Sequence, residues 1–385
     1  MASTKPTTNM RLGQMIYRER HWQEIKEIPR GEQALVLCFG EKKLLKKSDW
    51  LRDLRRSFPS APIISASTAG EITNEEVTDH CITATSISLD KSHLQIAKIN
   101  ISETTNSLEA GRLISAQLDK TGLRFVLVLS DGSLVNGDDL VTGINEVLDN
   151  AIPVAGGLAG DGADFVSTVV GFNEDVTEGN IVAIGFYGDD LQIGFGSSGG
   201  WSSFGPTRTI TKSDKNVVYE IDNENALDLY KKYLGEFAEQ LPGSALLFPL
   251  SLMSNGDNPV VRTILSIDHK NSSMTFAGNM PEGGKVRLMK TTVDRLVDAA
   301  SNAADDSKGS SDAGADQLAL LISCVGRKLV FNNRVDEELD AVRHSMGTNT
   351  LISGFYSYGE IAPYSDFMKC QLHNQTMTIT TLHEA

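Results

Sequence analysis

An internal repeat constrains this chain more than any other feature, because two segments carry the same landmarks in the same order. The first runs from Ala34-Leu-Val-Leu-Cys38-Phe-Gly40 through a helical stretch and a second apolar run to Ser67-Thr-Ala-Gly70-Glu71-Ile72, with Cys81 beyond. The second runs from Ala319-Leu-Leu-Ile-Ser-Cys324-Val-Gly326 to Leu351-Ile-Ser, Ser357-Tyr-Gly359-Glu360-Ile361 and Cys370. The interval from Gly-Glu-Ile to the cysteine is the same in both. Matched landmarks in matched order imply two related folding units. A ligand can sit between paired units, and equivalent positions can diverge so that one copy alone keeps the chemistry.

Each copy reads as strand, helix, strand, the unit of a partly parallel sheet. In the first, Ser48 stands as an N-cap before a helix ending near Pro59; in the second, Val335, Leu339, Val342 and Met346 share one helical face. Further strands are expected at Thr83 to Leu89, Leu94 to Ile99, Phe125 to Leu129, Val166 to Phe172 and Ile181 to Phe186. The fold class that follows is α/β: two related α/β domains with mixed sheets and a pseudo-twofold internal duplication. At 385 residues the chain exceeds one usual core, and a boundary falls near 202 to 222. There Gly194-Phe-Gly-Ser-Ser-Gly-Gly-Trp201 leads into Val217-Val-Tyr-Glu-Ile221, with Asp222 placed to cap a helix running to about Gln240. The expected division is an N-terminal extension over 1–30 and domains over 31–215 and 216–385. The polar stretch from Ser301 to Asp316 reads as a mobile surface loop.

Composition narrows the function. A net charge of −15 argues against a nucleic-acid partner, which needs clustered Lys and Arg. No apolar run approaches the ~20 residues that cross a bilayer, and the first thirty residues lack a signal core, so a cytoplasmic location is expected. Cys38, Cys81, Cys324 and Cys370 are dispersed and read as reduced thiols. That spacing lacks the close pairing of an iron–sulfur site. A hydrolase built from Cys370 or Cys324 with His373 would lack any accompanying triad signature.

Seven histidines are available. His21, His269, His344 and His383 read as solvent-exposed; His80 stands beside Cys81 in a polar approach to a strand, and His93 sits in an alternating strand with no distinctive partners. If Cys370 to Leu382 forms one regular strand, His373 shares the apolar face of Met377 and Ile379, while the matching position of the first copy is Ala84. A neutral imidazole in an apolar pocket is either a satisfied core histidine or a ligand for iron. Gly156 and Gly157, before Asp161, form either a tight turn or a backbone-amide cradle for an anion. Glu71 and Glu360 read as supports of their own loops in preference to an acid/base dyad. Arg327 suits either an intramolecular ion pair or a propionate.

Seven stretches in order resemble the FIST family of prokaryotic sensory proteins: Ser67-Thr-Ala-Gly-Glu-Ile, Ala155-Gly-Gly-Leu-Ala-Gly-Asp161, Gly199-Gly-Trp to Gly205-Pro, Tyr219-Glu-Ile-Asp222 with Ala226-Leu-Asp-Leu-Tyr230, Ser323-Cys-Val-Gly-Arg327, Phe355-Tyr-Ser-Tyr-Gly-Glu-Ile361 and Leu372-His-Asn-Gln-Thr376. Asn223-Glu-Asn225 departs from the glycine and proline that many members carry there. The resemblance implies an intracellular small-ligand sensor without enzymatic activity. Its haem-binding, nitric-oxide-sensing branch implies haem b, with an iron–sulfur cluster or no cofactor as alternatives, and a separate histidine kinase as partner; a homodimer is a further candidate assembly. It also implies His373 as iron ligand with Arg327 and Tyr358 beside the cofactor. The implied ligand pocket is Ser67, Thr68, Gly70, Glu71, Gly156, Gly157, Asp161 and Glu360. Another small molecule, such as an amino acid, remains the alternative ligand.

Overall fold

The structure is a computed structural model that describes residues 10–29, 31–148, 152–241, 243–253, 259–308, 316–363 and 369–385. Apolar runs such as Leu35–Gly40 and Gln317–Cys324 are buried on both faces, as strands inside a layered α/β fold must be. Both repeats adopt the same arrangement. A central strand pairs in parallel with the strand after its helix, and antiparallel with a closing strand. In the first unit these are Leu35–Gly40, Ile63–Ser67 and Ile82–Leu89; in the other they are Gln317–Cys324, Thr350–Ser357 and Met377–Glu384.

A further unit of the same topology lies between them, the second of three in chain order, so that the C-terminal repeat is the third; this middle unit is built on Leu123–Ser130, Val154–Leu158 and Asn180–Tyr187. It lacks the repeated cysteine and Gly-Glu-Ile landmarks, so only its strand order gives it away. Each unit also has an outer strand on its closing strand: Met10–Arg18, His93–Asn100 and Leu191–Ser198 in chain order. The stretch before residue 31, expected as an extension, therefore supplies a structural strand. Residues 1–9 lie outside the described residues.

The units are locked by exchanged hairpins. The hairpin of the first, Glu71–Ile72 with Val77–Thr78, extends the sheet of the third unit; Val170–Phe172 with Asp175–Thr177 of the second extends the first; Gly359–Pro363 with Cys370–His373 of the third extends the second. The three sheets enclose a shared apolar core that includes Leu37, Phe39, Phe125, Leu127, Ile322 and Phe355. Each such side chain, fully buried, contributes about 2 kcal/mol. Helices Gly137–Leu148 and Asp336–Met346 cover outer faces, the latter burying Leu339 and Val342 as its periodicity predicts. Helix Val293–Ser307 lies directly on the Leu191–Ser198 strand; a Cβ at Gly196 would sit 1.8 Å from the Ala303 carbonyl.

The chain from 202 to 290 is an insert in the third unit that forms its own eight-stranded sheet. The boundary expected at 215/216 falls in the turn between its strands Ser202–Asp214 and Val217–Ile221. Three local expectations are corrected. Residues Ser301 to Ser307 end helix Val293–Ser307, whose alanine face packs in the core, while 309–315 lie outside the described residues. Asn225, not Asp222, caps helix Ala226–Leu234; Asp222 instead accepts from the Thr209 amide at 2.8 Å and from Arg208 at 3.0 Å. Ser48 precedes helix Asp49–Ser57 without a side-chain capping bond.

Candidate functional site

His373 ends the short strand Cys370–His373, and the chain then breaks at Asn374 and Gln375, the latter with φ of 62°. Cys370 to Leu382 is therefore not one regular strand, and its two parts join different sheets. Hairpin register also corrects the repeat alignment. His373 faces Glu360 as Thr78 faces Glu71, so Thr78, not Ala84, is its counterpart. Thr376 and Cys81 are likewise equivalent, their carbonyls accepting from Cys324 and Glu41 amides at 3.1 and 3.0 Å. The equal Glu-to-Cys interval thus does not align the cysteines.

His373 is one of the residues lining a cavity of about 840 Å³. One side comes from the third unit: Phe195 to Trp201, Asp306, Ala362, Pro363 and Thr376. The other comes from the insert: Ser203, Ser251, Pro259, Val260, Val261 and Met289. Burial, reinforced by the nearby Arg262 guanidinium and opposed by a backbone bond at Ala362, lowers the His373 pKa to about 4. The ring is neutral at pH 7 and so retains a nitrogen lone pair. His383, expected exposed, is also buried, whereas His21, His80, His93, His269 and His344 are exposed.

The remaining expected site residues divide among separate places. Thr68, Gly70, Glu71 and Asp161 line a second cleft of about 260 Å³ with Lys42 and His80. Burial works against charge on Asp161. Hydrogen bonds from Tyr358, the Ser167 amide at 2.9 Å, Lys42 at 3.1 Å and the Val166 amide at 3.1 Å outweigh it and hold the carboxyl below its usual range. Tyr358 belongs to this cluster, not to the His373 cavity. Ser67 is consumed by Val169: its amide donates to the Val169 carbonyl and its hydroxyl accepts from the Val169 amide, each at 2.9 Å. Gly156 and Gly157 form neither turn nor anion cradle: both lie within strand Val154–Leu158, paired on its two edges.

The two glutamates do duplicated structural work. Glu71 accepts from Thr68 at 2.5 Å and from the Cys81 thiol at 3.4 Å; Glu360 accepts from Ser357 at 2.6 Å and Thr376 at 2.9 Å. Burial pushes each up to about 8 against those bonds. Arg327 is fully buried and takes the ion-pair alternative: Nε and Nη2 donate to Glu338 at 2.8 and 2.5 Å, and further bonds reach the Gly199 and Leu296 carbonyls. It supports the cavity wall from behind. It does not line the cavity.

The FIST N domain matches residues 34–224 and the FIST C domain residues 226–363. The chain belongs to the FIST family. A protein of Methanocaldococcus jannaschii is 24% identical over 201 residues, covering 48% of this chain and 38% of that protein. The match thus spans well under half of that relative's length. A cyanuric acid hydrolase from A. caulinodans has 8% identity and a TM-score of 0.35 over 92% of this chain and 90% of its own. Small-ligand sensing in signal transduction is the family's association. The FIST C match ends at residue 363, ahead of His373, and the structure sets that histidine in one cavity with Ser251, Val260, Val261 and Met289 of that match.

Sequence reading missed the insert half of this cavity. The glycine-rich Gly194–Trp201 stretch was the available signal, read as a boundary when it is also a wall. Nothing in the sequence marks Ser251, Val260, Val261 or Met289, because which face a strand turns to a distant unit is a tertiary fact.

Proposed function

We propose that this FIST protein senses a small ligand held in the cavity between the third unit and its insert, with His373 as the coordinating side chain. The observation that carries the reading is a buried, neutral histidine lining an 840 Å³ cavity, a size within the roughly 300–1,000 Å³ of small-molecule sites. Haem b suits this wall at the iron, for which a neutral imidazole is a ready donor. No Lys or Arg stands in the described lining to pair the propionates, and the polar groups that would hold them are the hydroxyls of Ser197, Ser198, Ser203, Ser251 and Thr376. A bound haem supplies an iron that takes nitric oxide. The protein's part is to hold the imidazole neutral by burial, and to orient it through the Ala362 backbone and the flanking strand.

A binding role, not an enzymatic one, is supported by the thiols. Cys38, Cys81, Cys324 and Cys370 are all buried and burial raises each, which withholds the thiolate that nucleophilic or iron–sulfur chemistry needs. Among the described residues, no group of three His, Cys, Asp or Glu side chains is placed to hold a metal ion. No described helix is long and apolar enough to cross a membrane. A histidine kinase acting in the cytoplasm is the partner in this reading, its autophosphorylation responding to ligand occupancy.

Hemin titration tests the proposal. Wild-type protein should develop a Soret band, and His373→Ala should lose or shift it with an unchanged circular dichroism spectrum. An identical band and retention in the variant would remove His373 from the role. A colourless wild-type protein after reconstitution would favour the second reading, a ligand such as an amino acid, for which the hydroxyl-rich lining offers hydrogen bonds.

A further inference from the structure

The strand that ends in His373 is tied to the second unit from two directions. Asn145 Nδ2, on helix Gly137–Leu148, donates to the Cys370 carbonyl at 2.8 Å. Arg262 of the insert donates through Nη1 to the Leu372 carbonyl at 3.0 Å, while its Nη2 bonds both oxygens of Asp138 at 3.0 and 2.9 Å. Asp138 and Asp139 form the first turn of that same helix, where the helix dipole favours negative charge. The insert grips this turn elsewhere too. The Asn279 amide donates to Asp138 at 2.5 Å, its side chain donates to Asp139 at 2.9 Å, and Lys215 lies 3.7 Å from Asp139.

The grip is close but incompletely satisfied. A Cβ at Gly278 would fall 2.8 Å from the guanidinium, so the insert loop approaches Arg262 only because that residue is glycine. The Arg262 side chain is 8% exposed, and its Nε has no acceptor among the described residues. An unmet buried donor lowers the cost of release, because water satisfies it once the pair opens. Two arrangements would satisfy these charges. Docked, the pair is buried and nearly dry; released, both charges return to solvent.

We propose that the insert is a latch read from the cavity: ligand engagement at His373 shifts the Leu372 carbonyl, which Arg262 transmits to Asp138 and the first turn of helix Gly137–Leu148. This rests on the cavity being the ligand site. Arg262 is a positioning residue in it, and helix Gly137–Leu148 is the element whose state a partner reads. The coupling is reciprocal, so loosening the latch also alters ligand affinity.

Hydrogen exchange of the full chain tests the latch, with hemin as probe. In wild type, hemin should change amide exchange within 137–148 by about fivefold or more, the lower end of coupling between linked sites. In Arg262→Met and Asp138→Asn that response should vanish from the first turn, 137–140, where the latch acts and beyond the Asn145 tie, although hemin still binds, judged by its Soret band, and strand Leu123–Ser130 should exchange as in wild type. A persisting response in either variant, or none in hemin-bound wild type, overturns the proposal. If wild type takes no hemin, the haem reading fails while the latch is still tested without ligand. His373→Ala should then alter exchange within 137–140 in the wild-type background and not in Asp138→Asn. Equal effects in both backgrounds would sink it.

Discussion

Glu338→Gln is the sharpest probe of how the cavity wall is held. The carboxylate accepts from Arg327 Nε at 2.8 Å and Nη2 at 2.5 Å, from Tyr356 Oη at 2.6 Å and from Ser323 Oγ at 3.3 Å. All four side chains are buried. The amide keeps the shape and one acceptor oxygen, but removes the charge that compensates a fully buried guanidinium. Breaking such a pair from one side costs about 3–5 kcal/mol. The Gly199 and Leu296 carbonyls still accept from Arg327, which places the expected loss near 3 kcal/mol at the lower end of that range. Urea unfolding followed by circular dichroism should show a lower midpoint, and the double variant Arg327→Met with Glu338→Leu should recover part of it. A midpoint within error of wild type for Glu338→Gln would mean that the pair is already solvated and that Arg327 is free for another role. A double variant worse than the sum of the singles would refute the argument from uncompensated charge.

Stability should fall as pH rises from about 4.5 to about 8, because Glu71 and Glu360 titrate at about 8 when folded and near the ordinary carboxylate value when unfolded. The folded chain binds more protons across that window, so the stabilisation is complete below it and lost above it; Glu71→Gln with Glu360→Gln should flatten the urea midpoint against pH. Gly156→Ala should abolish soluble expression or cost about 4 kcal/mol or more, since φ is +153° and the new Cβ would lie 1.8 Å from the Val128 carbonyl; a fully stable variant would contradict the strand geometry. Glu384→Ala should cost about 2–3 kcal/mol by stranding the Asp90, Lys91 and Ser92 amides that its buried carboxylate accepts from. Thermal unfolding reads that loss, and an unchanged midpoint would show those amides hydrated.

Local pattern determined much of this protein without help from the fold. The apolar runs at 35–40 and 317–324 could only be buried strands, and the spacing of Val335, Leu339, Val342 and Met346 could only present one helical face, because these signals lie within a single element. The duplicated Glu71 and Glu360 with their Thr68 and Ser357 partners, three residues upstream, are likewise local, although those partners are side chains where the sequence suggested backbone hydrogen bonds. What only tertiary structure decided involves partners far apart in the chain. A hairpin's alternation does not say which sheet edge it joins, so neither the exchange among units nor the middle unit was legible. The phase of His373 was inferred across a break at Asn374 that no pattern announces, and its burial survives because the insert closes over it. Arg262 and Asp138 are 124 residues apart and meet because three sheets and an insert settle into one arrangement. Periodicity specifies which side of an element is apolar; the burial of all those sides together selects what each one faces.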